Sequence, residues 1–320
     1  MIASALTEMF GLTHPIVLGP MGGISGGRLA AAVSNAGGLG LVGGGYGDPT
    51  WLRTELSRVT GDAKRPWGVG LITWSIDRSV LDLALDYRPA AVLLSFGDPR
   101  PYAPAIKSAR CKLICQVQDM GQALVAREAG ADIIVAEGTE AGGHGGVRAT
   151  LPFVPAVVDA VAPVPVVAAG SIGDGRGLAA ALMLGAHGAL IGTRFYASTE
   201  ALGQDRAKQR IVAARGNETA RTRVFDIVRD YAWPTAFHGR AIRNSFMERW
   251  DGRECDLMTV LETERATYQV ATCESNFDTA VVWAGEVVDL IKSVDSAAAL
   301  VARISAEAEA QLHLGAKLVL

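Results

Sequence analysis

Residues 132–146, DIIVAEGTEAGGHGG, place a short apolar run directly before a glycine-rich turn that carries one histidine, His144. The apolar run predicts a buried strand, and the glycines allow the backbone of the turn to approach a bound group closely. In α/β folds, ligands and catalytic residues lie at such junctions between a strand and the following loop. By itself, the segment is equally compatible with a tight turn around a solvated histidine.

The same pattern extends in both directions from this segment. From about Pro15 to Ser198, short apolar runs alternate with amphipathic, alanine-rich stretches, and glycine or proline separates them. This pattern is typical of βα units with buried parallel strands. Strands are predicted at residues 16–18, 40–42, 68–72, 91–95, 113–116, 132–136, 166–169 and 189–193. Helices are predicted between them at residues 27–35, 50–59, 78–87, 102–108, 120–129, 153–161 and 176–184.

Eight strands with helical crossovers favour an α/β fold of the (β/α)8 TIM barrel type, with a doubly wound sheet as the alternative. After Ser198 the rhythm stops, and charged residues with single aromatics predict an added, mostly helical region between strand 8 and the closing helix. We expect residues 1–200 and 277–320 to form the barrel. Residues 201–276 are then a helical insertion near the barrel mouth, and apolar stripes from 277 to 312 predict the closing helix.

The composition argues against several classes of partner. The chain has 320 residues, 49% of them hydrophobic, a net charge of −3 and no basic run, so neither nucleic acid nor an anionic membrane is an expected partner. The four cysteines form no CxxC pair, which argues against a metal site or a disulfide framework and fits a reducing cytoplasm. No uninterrupted apolar run is long enough to span a bilayer, and a cytoplasmic location is expected.

Three further glycine-bearing segments follow predicted strands, at residues 19–23, 169–173 and 192–193. In TIM barrels, the loops after strands 7 and 8 commonly bind a phosphate through backbone N–H groups, and residues 168–177 with 191–193 have that layout. Taken singly, each segment is also explained by glycines that end strands or cap helices. Because neither a Walker lysine pattern nor a Rossmann fingerprint is present, a cofactor with one phosphate is favoured over a P-loop nucleotide.

Taken together, these motifs resemble the nitronate monooxygenases, formerly called 2-nitropropane dioxygenases. The resemblance is carried by residues 15–21, 30–40, 140–146 and 168–177, and it continues through 221–226 and 283–285. It implies an FMN-binding TIM barrel. The residues that it places around the flavin ring are Gly19, Pro20, Met21, Thr73, Gln116 and Gly143. Those that it places around the phosphate are Gly170, Ser171, Gly192 and Thr193.

The resemblance also implies an activity, the FMN-dependent oxidation of alkyl nitronates, and of nitroalkanes, with O2 to a carbonyl compound and nitrite. His144 would be the catalytic base, because a neutral imidazole with an ordinary pKa of ~6.5 can remove an activated α-proton near neutral pH. With a nitronate, which is already deprotonated, His144 would chiefly bind and orient the anion. The partners are then a small nitronate or nitroalkane and O2, and a homodimeric assembly is compatible with the sequence.

Two relatives of the same superfamily share much of the pattern and keep an alternative open. They are the flavin-dependent enoyl-acyl-carrier-protein reductase and an NADH:quinone reductase, both of which use a pyridine nucleotide. A barrel that binds a phosphate-bearing ligand without redox turnover is a further alternative. Among the remaining histidines, His14 and His187 are expected at the opposite end of the barrel, and His238 is a weaker candidate for the site. Trp74, just past the third strand, is a candidate to shape the substrate pocket.

Overall fold

The computed structural model describes residues 2–318. Its strands are β1 (Ile16–Leu18), β2 (Gly40–Gly43), β3 (Trp67–Ile72), β4 (Ala91–Ser95), β5 (Lys112–Val117), β6 (Ile133–Glu137), β7 (Gly143–Gly145), β8 (Val166–Ala169), β9 (Ala189–Ile191), β10 (Thr219–Thr222) and β11 (His238–Ile242). Its α-helices are α1 (Ala5–Phe10), α2 (Gly27–Asn35), α3 (Pro49–Asp62), α4 (Arg78–Asp86), α5 (Ala103–Ser108), α6 (Met120–Glu128), α7 (Thr150–Val161), α8 (Gly175–Met183), α9 (Thr193–Tyr196), α10 (Asp205–Ala213), α11 (Val224–Arg229), α12 (Ser245–Trp250), α13 (Glu254–Thr259), α14 (Leu261–Cys273) and α15 (Ala297–Ala316).

Eight strands form one parallel sheet in the order β1-β9-β8-β6-β5-β4-β3-β2. The two ends of this sheet meet, because Val17 of β1 forms a parallel bridge with Leu39, the residue before β2. Leu18 N also donates to Leu39 O at 2.9 Å. The sheet therefore closes into the predicted (β/α)8 barrel, and each of the eight predicted strands is present. An open doubly wound sheet would leave its two edges apart.

Both faces of the barrel strands are buried. In β4, Val92 and Leu94 pack outward against the helices, whereas Ala91 and Leu93 point into the barrel interior. Leu6 and Phe10 of α1 fill the interior at the amino end of the strands. This double burial explains the continuous apolar runs of the strands. Because α1 fills the amino end, the carboxyl ends of the strands form the open end of the barrel.

Two histidines hold the closed end together, as expected. His187 accepts a hydrogen bond from Ala5 N at Nδ1 (3.3 Å), and its carbonyl accepts one from Ser4 Oγ (2.7 Å). His14 Nδ1 lies 2.7 Å from Ser305 Oγ of α15. Both side chains are thereby engaged in anchoring the first and last helices to the barrel.

Several predicted elements differ from the structure by one to three residues at their ends, and two differences affect the barrel mouth. The strand predicted at 189–193 stops at Ile191, because Phe195 N and Tyr196 N both donate to Gly192 O and begin the short helix α9. The closing helix predicted from residue 277 begins only at Ala297, where Ser296 caps it. The apolar residues before it, including Val282 and Ile291, are buried in chain that is not α-helical and crosses the barrel mouth.

The glycine-rich turn predicted around His144 is also different in the structure. Gly143–Gly145 forms β7 in a second, antiparallel sheet of order β10-β11-β7, in which His144 is paired with Gly239 of β11. The partner strand β11 comes from the region added after strand 8, so no sequence feature near His144 predicts this pairing. His144 is therefore held by a sheet and does not lie on a free turn.

Helix α15 spans 20 residues and buries Leu300, Val301 and Ile304 in the outer core of the barrel. Within residues 2–318, no helix has both the length and the apolar character that crossing a membrane requires.

Candidate active site

A cavity of about 220 Å³ opens at the carboxyl ends of the barrel strands. Leu93 and Leu190 of the barrel interior form its floor, and the aromatic rings of Tyr46, Trp233 and Trp283 contribute to its upper wall. The structure brings ten of the predicted site residues together around this space. They are Gly19, Pro20, Met21, Gln116, Gly143, His144, Gly170, Ser171, Gly192 and Thr193.

Thr73 is the predicted site residue that does not line the cavity. It begins a 3-10 turn after β3 and is only 5% exposed. Its Oγ1 is buried and has no hydrogen-bond partner among the residues that the structure describes. Trp74 also lies outside the lining, but its ring contacts Trp233 edge-on at 5.3 Å, so it supports the aromatic wall. His238 contributes only its carbonyl, which accepts from Arg221.

The loops after β8 and β9 present free backbone amides to the cavity. Among residues 2–318, the N–H groups of Ser171, Ile172 and Gly192 have no hydrogen-bond acceptor, although all three residues line the cavity. The Ser171 hydroxyl donates to Glu140 O (2.7 Å) and accepts from Val287 N (3.2 Å), so the side chain fixes the loop and leaves its amide free. Unpaired amides of this kind suit a phosphate dianion.

At two glycines, the cavity wall has no side chain. A Cβ added at Gly143, where φ is +73°, would meet no atom within 4 Å, and one added at Gly192 would meet only the Met21 side chain, at 3.6 Å. Their side-chain positions are therefore open space. A ring or phosphate can approach the backbone there more closely than any other residue would allow.

At the start of α8, by contrast, the backbone N–H groups are already bonded to carboxylates. Asp174 accepts from the amides of Arg176 and Gly177, and Gly175 N donates to Glu307 Oε2 at 3.0 Å. Carboxylates thus occupy the positive end of this helix. Of the predicted phosphate segment 168–177, only the part around Ser171 and Ile172 remains available.

A polar network lies at the ends of β4, β5 and β6. Gln118 Nε2 donates to Glu137 Oε2 at 2.9 Å and to Ser95 Oγ at 3.3 Å, and Gln116 Nε2 donates to the same Ser95 Oγ at 3.1 Å. Glu137 and Gln116 both line the cavity. Burial raises the pKa of Glu137 to about 7, so this carboxyl retains a proton far more readily than an exposed one.

His144 is held by a buried carboxylate. Its Nε2 lies 2.9 Å from Asp226 Oδ2, and the side chains of both residues are less than a tenth exposed. Asp226 belongs to α11, and Oδ1 of the same carboxylate has no partner among the described residues. Because a carboxylate accepts, the arrangement favours the tautomer with the proton on Nε2 and leaves the Nδ1 lone pair free.

The surroundings of His144 keep its ring neutral. Burial lowers the pKa of His144, the Asp226 carboxylate raises it in part, and the positive charges of Arg229 and Arg221 lower it again. The Trp233 ring lies parallel to the imidazole, with centroids 3.5 Å apart and planes 4° apart. The ring that faces the cavity is therefore both desolvated and fixed in orientation.

Arg221 of β10 holds the backbone around His144 in place. Its guanidinium donates to the carbonyls of Thr139 (2.8 Å), Ala141 (3.3 Å) and Gly143 (3.3 Å). Burial lowers the pKa of Arg221 to about 10, so it is still charged at neutral pH. The loop between β6 and β7 is thereby tied to the added sheet.

An aromatic group, which we call the aromatic lid, covers the cavity above His144. It consists of Tyr46, Tyr231, Trp233 and Phe237. Tyr46 and Tyr231 stack with centroids 3.9 Å apart, and Trp233 Nε1 donates to Tyr46 Oη at 2.9 Å. These side chains come from the loop after β2 and from the segment after α11, so an apolar cover over the site arises only in the folded chain.

Several residues of the site were not singled out from the sequence, among them four with charged or aromatic side chains close to His144 or the cavity. Glu137, Arg229 and Trp233 line the cavity, and Asp226 bonds to His144. The resemblance over residues 221–226 includes Asp226, and Glu137 lies within the strand-and-turn segment 132–146, but neither residue was assigned a role. Arg229 and Trp233 lie in the added region, whose composition is ordinary for solvent-exposed helices and loops.

The closed barrel, with a buried histidine–aspartate pair at a cavity beyond the strand ends, defines the chain as a TIM-barrel enzyme. The family model described as nitronate monooxygenase matches residues 3–79 and 72–307. The chain belongs to the nitronate monooxygenase family, and it is a flavin-dependent oxidoreductase.

Individual relatives agree with this assignment. A nitronate monooxygenase of Metarhizium robertsii is 34% identical over 328 residues, which cover 93% of this chain and 91% of that protein. The structure of FabK from Thermotoga maritima superposes with a TM-score of 0.90 at 29% identity and covers the whole of both chains. That of a nitroalkane oxidase from Streptomyces ansochromogenes has a TM-score of 0.83 at 28% identity, covering 97% of this chain and all of that one.

Proposed function

We propose that this enzyme uses FMN to oxidise alkyl nitronates, and nitroalkanes after deprotonation, with O2 to a carbonyl compound and nitrite. The observation that carries the proposal is the buried His144–Asp226 pair at the wall of the cavity, with Nε2 of the imidazole engaged by the carboxylate at 2.9 Å. The likeness to a nitronate monooxygenase and to a nitroalkane oxidase supports the same chemistry.

His144 would act as the base through Nδ1. Among residues 2–318 this nitrogen has no hydrogen-bond partner, while Nε2 is engaged by Asp226. The lowered pKa of His144 keeps the ring neutral and able to accept the α-proton of a nitroalkane at neutral pH. Asp226 would then stabilise the imidazolium that forms, as a buried carboxylate does behind other histidine bases.

The backbone that lines the cavity suits the binding of FMN. The free amides of Ser171, Ile172 and Gly192 would hold the phosphate, and the bare wall at Gly143 leaves room for a flat ring. Residues 19–21 and Gln116 would contact the ring system. When bound, FMN supplies the electron transfer between the organic substrate and O2, which no side chain of the site can perform.

The aromatic lid would exclude water from the reacting atoms. Trp233 covers one face of His144, and Phe96 contacts Trp233 edge-on at 5.0 Å. A dry cavity strengthens the electrostatic interactions of His144 and Asp226. It also favours a substrate with a small polar head and an apolar body.

Anaerobic mixing of the purified holoenzyme with ethyl nitronate, and separately with NADH and NADPH, tests the proposal. We expect loss of the oxidised flavin absorbance with the nitronate alone, and oxygen uptake with nitrite release once air is admitted. Rapid bleaching by a pyridine nucleotide, without nitronate-dependent oxygen uptake, would reassign the chain to the pyridine-nucleotide-dependent reductases. A folded, colourless protein that binds no added FMN would reject flavin chemistry.

A further inference from the structure

One positive charge in the cavity binds no partner in the proposed chemistry. Arg229 is the only lysine or arginine among the described residues that line the cavity. It is the last residue of α11, the helix whose Asp226 holds His144. One short helix therefore supplies both the carboxylate behind the base and a cation at the cavity wall.

The guanidinium of Arg229 is not neutralised by a carboxylate. Within residues 2–318, Arg229 forms no ion pair and no side-chain hydrogen bond, and its guanidinium lies over the Tyr231 ring, whose centroid is 4.7 Å from Cζ. The neighbouring carboxylates are engaged elsewhere: Asp226 binds His144, and Asp230 pairs with Arg265 at 3.2 Å. The donors of the guanidinium thus remain available to a ligand.

Arg229 lies on the His144 side of the cavity. Its guanidinium lies over the Tyr231 ring of the aromatic lid, and its positive charge opposes protonation of His144. The stack of Arg229 on Tyr231, and of Tyr231 on Tyr46, holds the head group against the lid. A cation supported in this way is oriented before a ligand arrives.

We infer that Arg229 determines substrate specificity by binding the planar, two-oxygen anionic head of the substrate beside His144. A guanidinium presents parallel N–H donors that match two oxygens in one plane, as in a nitronate or a carboxylate. The identification of that anion as a nitronate rests on the proposed function. The anion-binding role itself does not depend on turnover.

Arg229→Gln and Arg229→Lys variants of the holoenzyme test this role with two substrates and one probe. We expect Arg229→Gln to raise KM for ethyl nitronate about 10-fold or more, the scale of a lost charge-assisted hydrogen bond, with kcat little changed. KM for neutral nitroethane should change less than about 2-fold, because no anion is present before deprotonation. Arg229→Lys should restore part of the affinity for the nitronate.

A matched control comes from the same helix. Arg223 precedes the first turn of α11 and does not line the cavity. Arg223→Gln removes one positive charge from this part of the fold, and we expect unchanged KM values for both substrates. The melting temperature and flavin content of each variant identify any general loss of structure.

Anion binding without turnover separates this inference from the proposed function. Nitrite, a planar two-oxygen anion, is titrated into the oxidised holoenzyme and the flavin absorbance is followed. A Kd at least about 10-fold weaker in Arg229→Gln supports the inference even if wild type oxidises no nitronate. An unchanged Kd for nitrite would overturn the inference. Equal increases in KM for the nitronate and for nitroethane would overturn it too, as would a change confined to the pH profile of nitroethane oxidation.

Discussion

Asp226 Oδ2 lies 2.9 Å from Nε2 of His144, although the two residues are 82 positions apart in the chain. His144 belongs to a strand that is paired with the added region, and Asp226 belongs to a helix of that region. The barrel therefore supplies the floor of the cavity, and the added region supplies part of its upper wall and the group that orients the proposed base. Functional consequences of this pairing can be measured separately from folding.

Replacement of His144 tests its role as the base. We expect His144→Ala to lower kcat/KM for neutral nitroalkanes by roughly 10²- to 10⁴-fold, the usual contribution of a general base. Turnover of preformed nitronates should fall much less, since no proton has to be removed. FMN content should match wild type, because the proposed phosphate amides lie on other loops. Equal nitroalkane turnover in mutant and wild type would eliminate His144 as the base.

Asp226→Asn should change the pH dependence as well as the rate. Asp226 raises the pKa of His144, so its neutralisation lowers that pKa further and moves the acid limb of the nitroalkane kcat/KM profile to lower pH. A less basic, less firmly oriented ring should also reduce the plateau rate by roughly 10- to 100-fold, part of the benefit of a general base. A pH–rate series on both proteins measures the two effects. An acid limb that moves to higher pH would contradict the pairing.

Gly192→Ala should weaken FMN binding without harming the fold. The added methyl would meet only the Met21 side chain, at 3.6 Å, but it would enter the space beside the free Gly192 amide. We expect the Kd for FMN to rise about 10-fold or more, about 1.4 kcal/mol, measured by flavin fluorescence quenching on reconstitution. Gly61→Ala, at an open position of α3, is the matched control and should leave FMN affinity unchanged.

The buried carboxyl of Glu137 should make the apoprotein less stable as the pH rises. Its pKa is raised from 4.5 to about 7 by burial, so the folded state binds the proton more tightly than the unfolded chain does. The stabilisation by this group is present below pH 4.5 and is lost as the pH rises toward 7. The free energy of unfolding falls by about 3 kcal/mol in total, because each tenfold difference in proton affinity corresponds to ~1.4 kcal/mol.

Urea denaturation at pH 5 and pH 8 measures this effect. We expect Glu137→Gln to be more stable than wild type at pH 8 and to lose most of that advantage at pH 5. Glu274→Gln, at an exposed position, should follow wild type at both pH values. A Glu137→Gln protein with the same pH dependence as wild type would show that the carboxyl is not buried in the apoprotein.

The barrel was predictable because its information is local. Buried strands such as Ala91–Ser95 are apolar up to their last residue, and helices such as Met120–Glu128 end at glycine stops, so each element can be recognised from its own residues. Two elements were misjudged where another part of the chain decides the outcome. The apolar residues at 277–296 are buried without an α-helix, and the glycines around His144 pair as a strand.

By itself, the sequence determined the closed barrel, the open end at which ligands are proposed to bind and the place of His144 at that end, because strand burial, helix stops and glycine-rich turns depend on neighbouring residues. The tertiary structure alone decided that Asp226 meets His144, that Trp233 covers it and that Arg229 stays without a carboxylate partner within residues 2–318. These relationships join segments about 80 residues apart. Their residue types carry no local pattern, so only the packing of the added region against the barrel mouth reveals them.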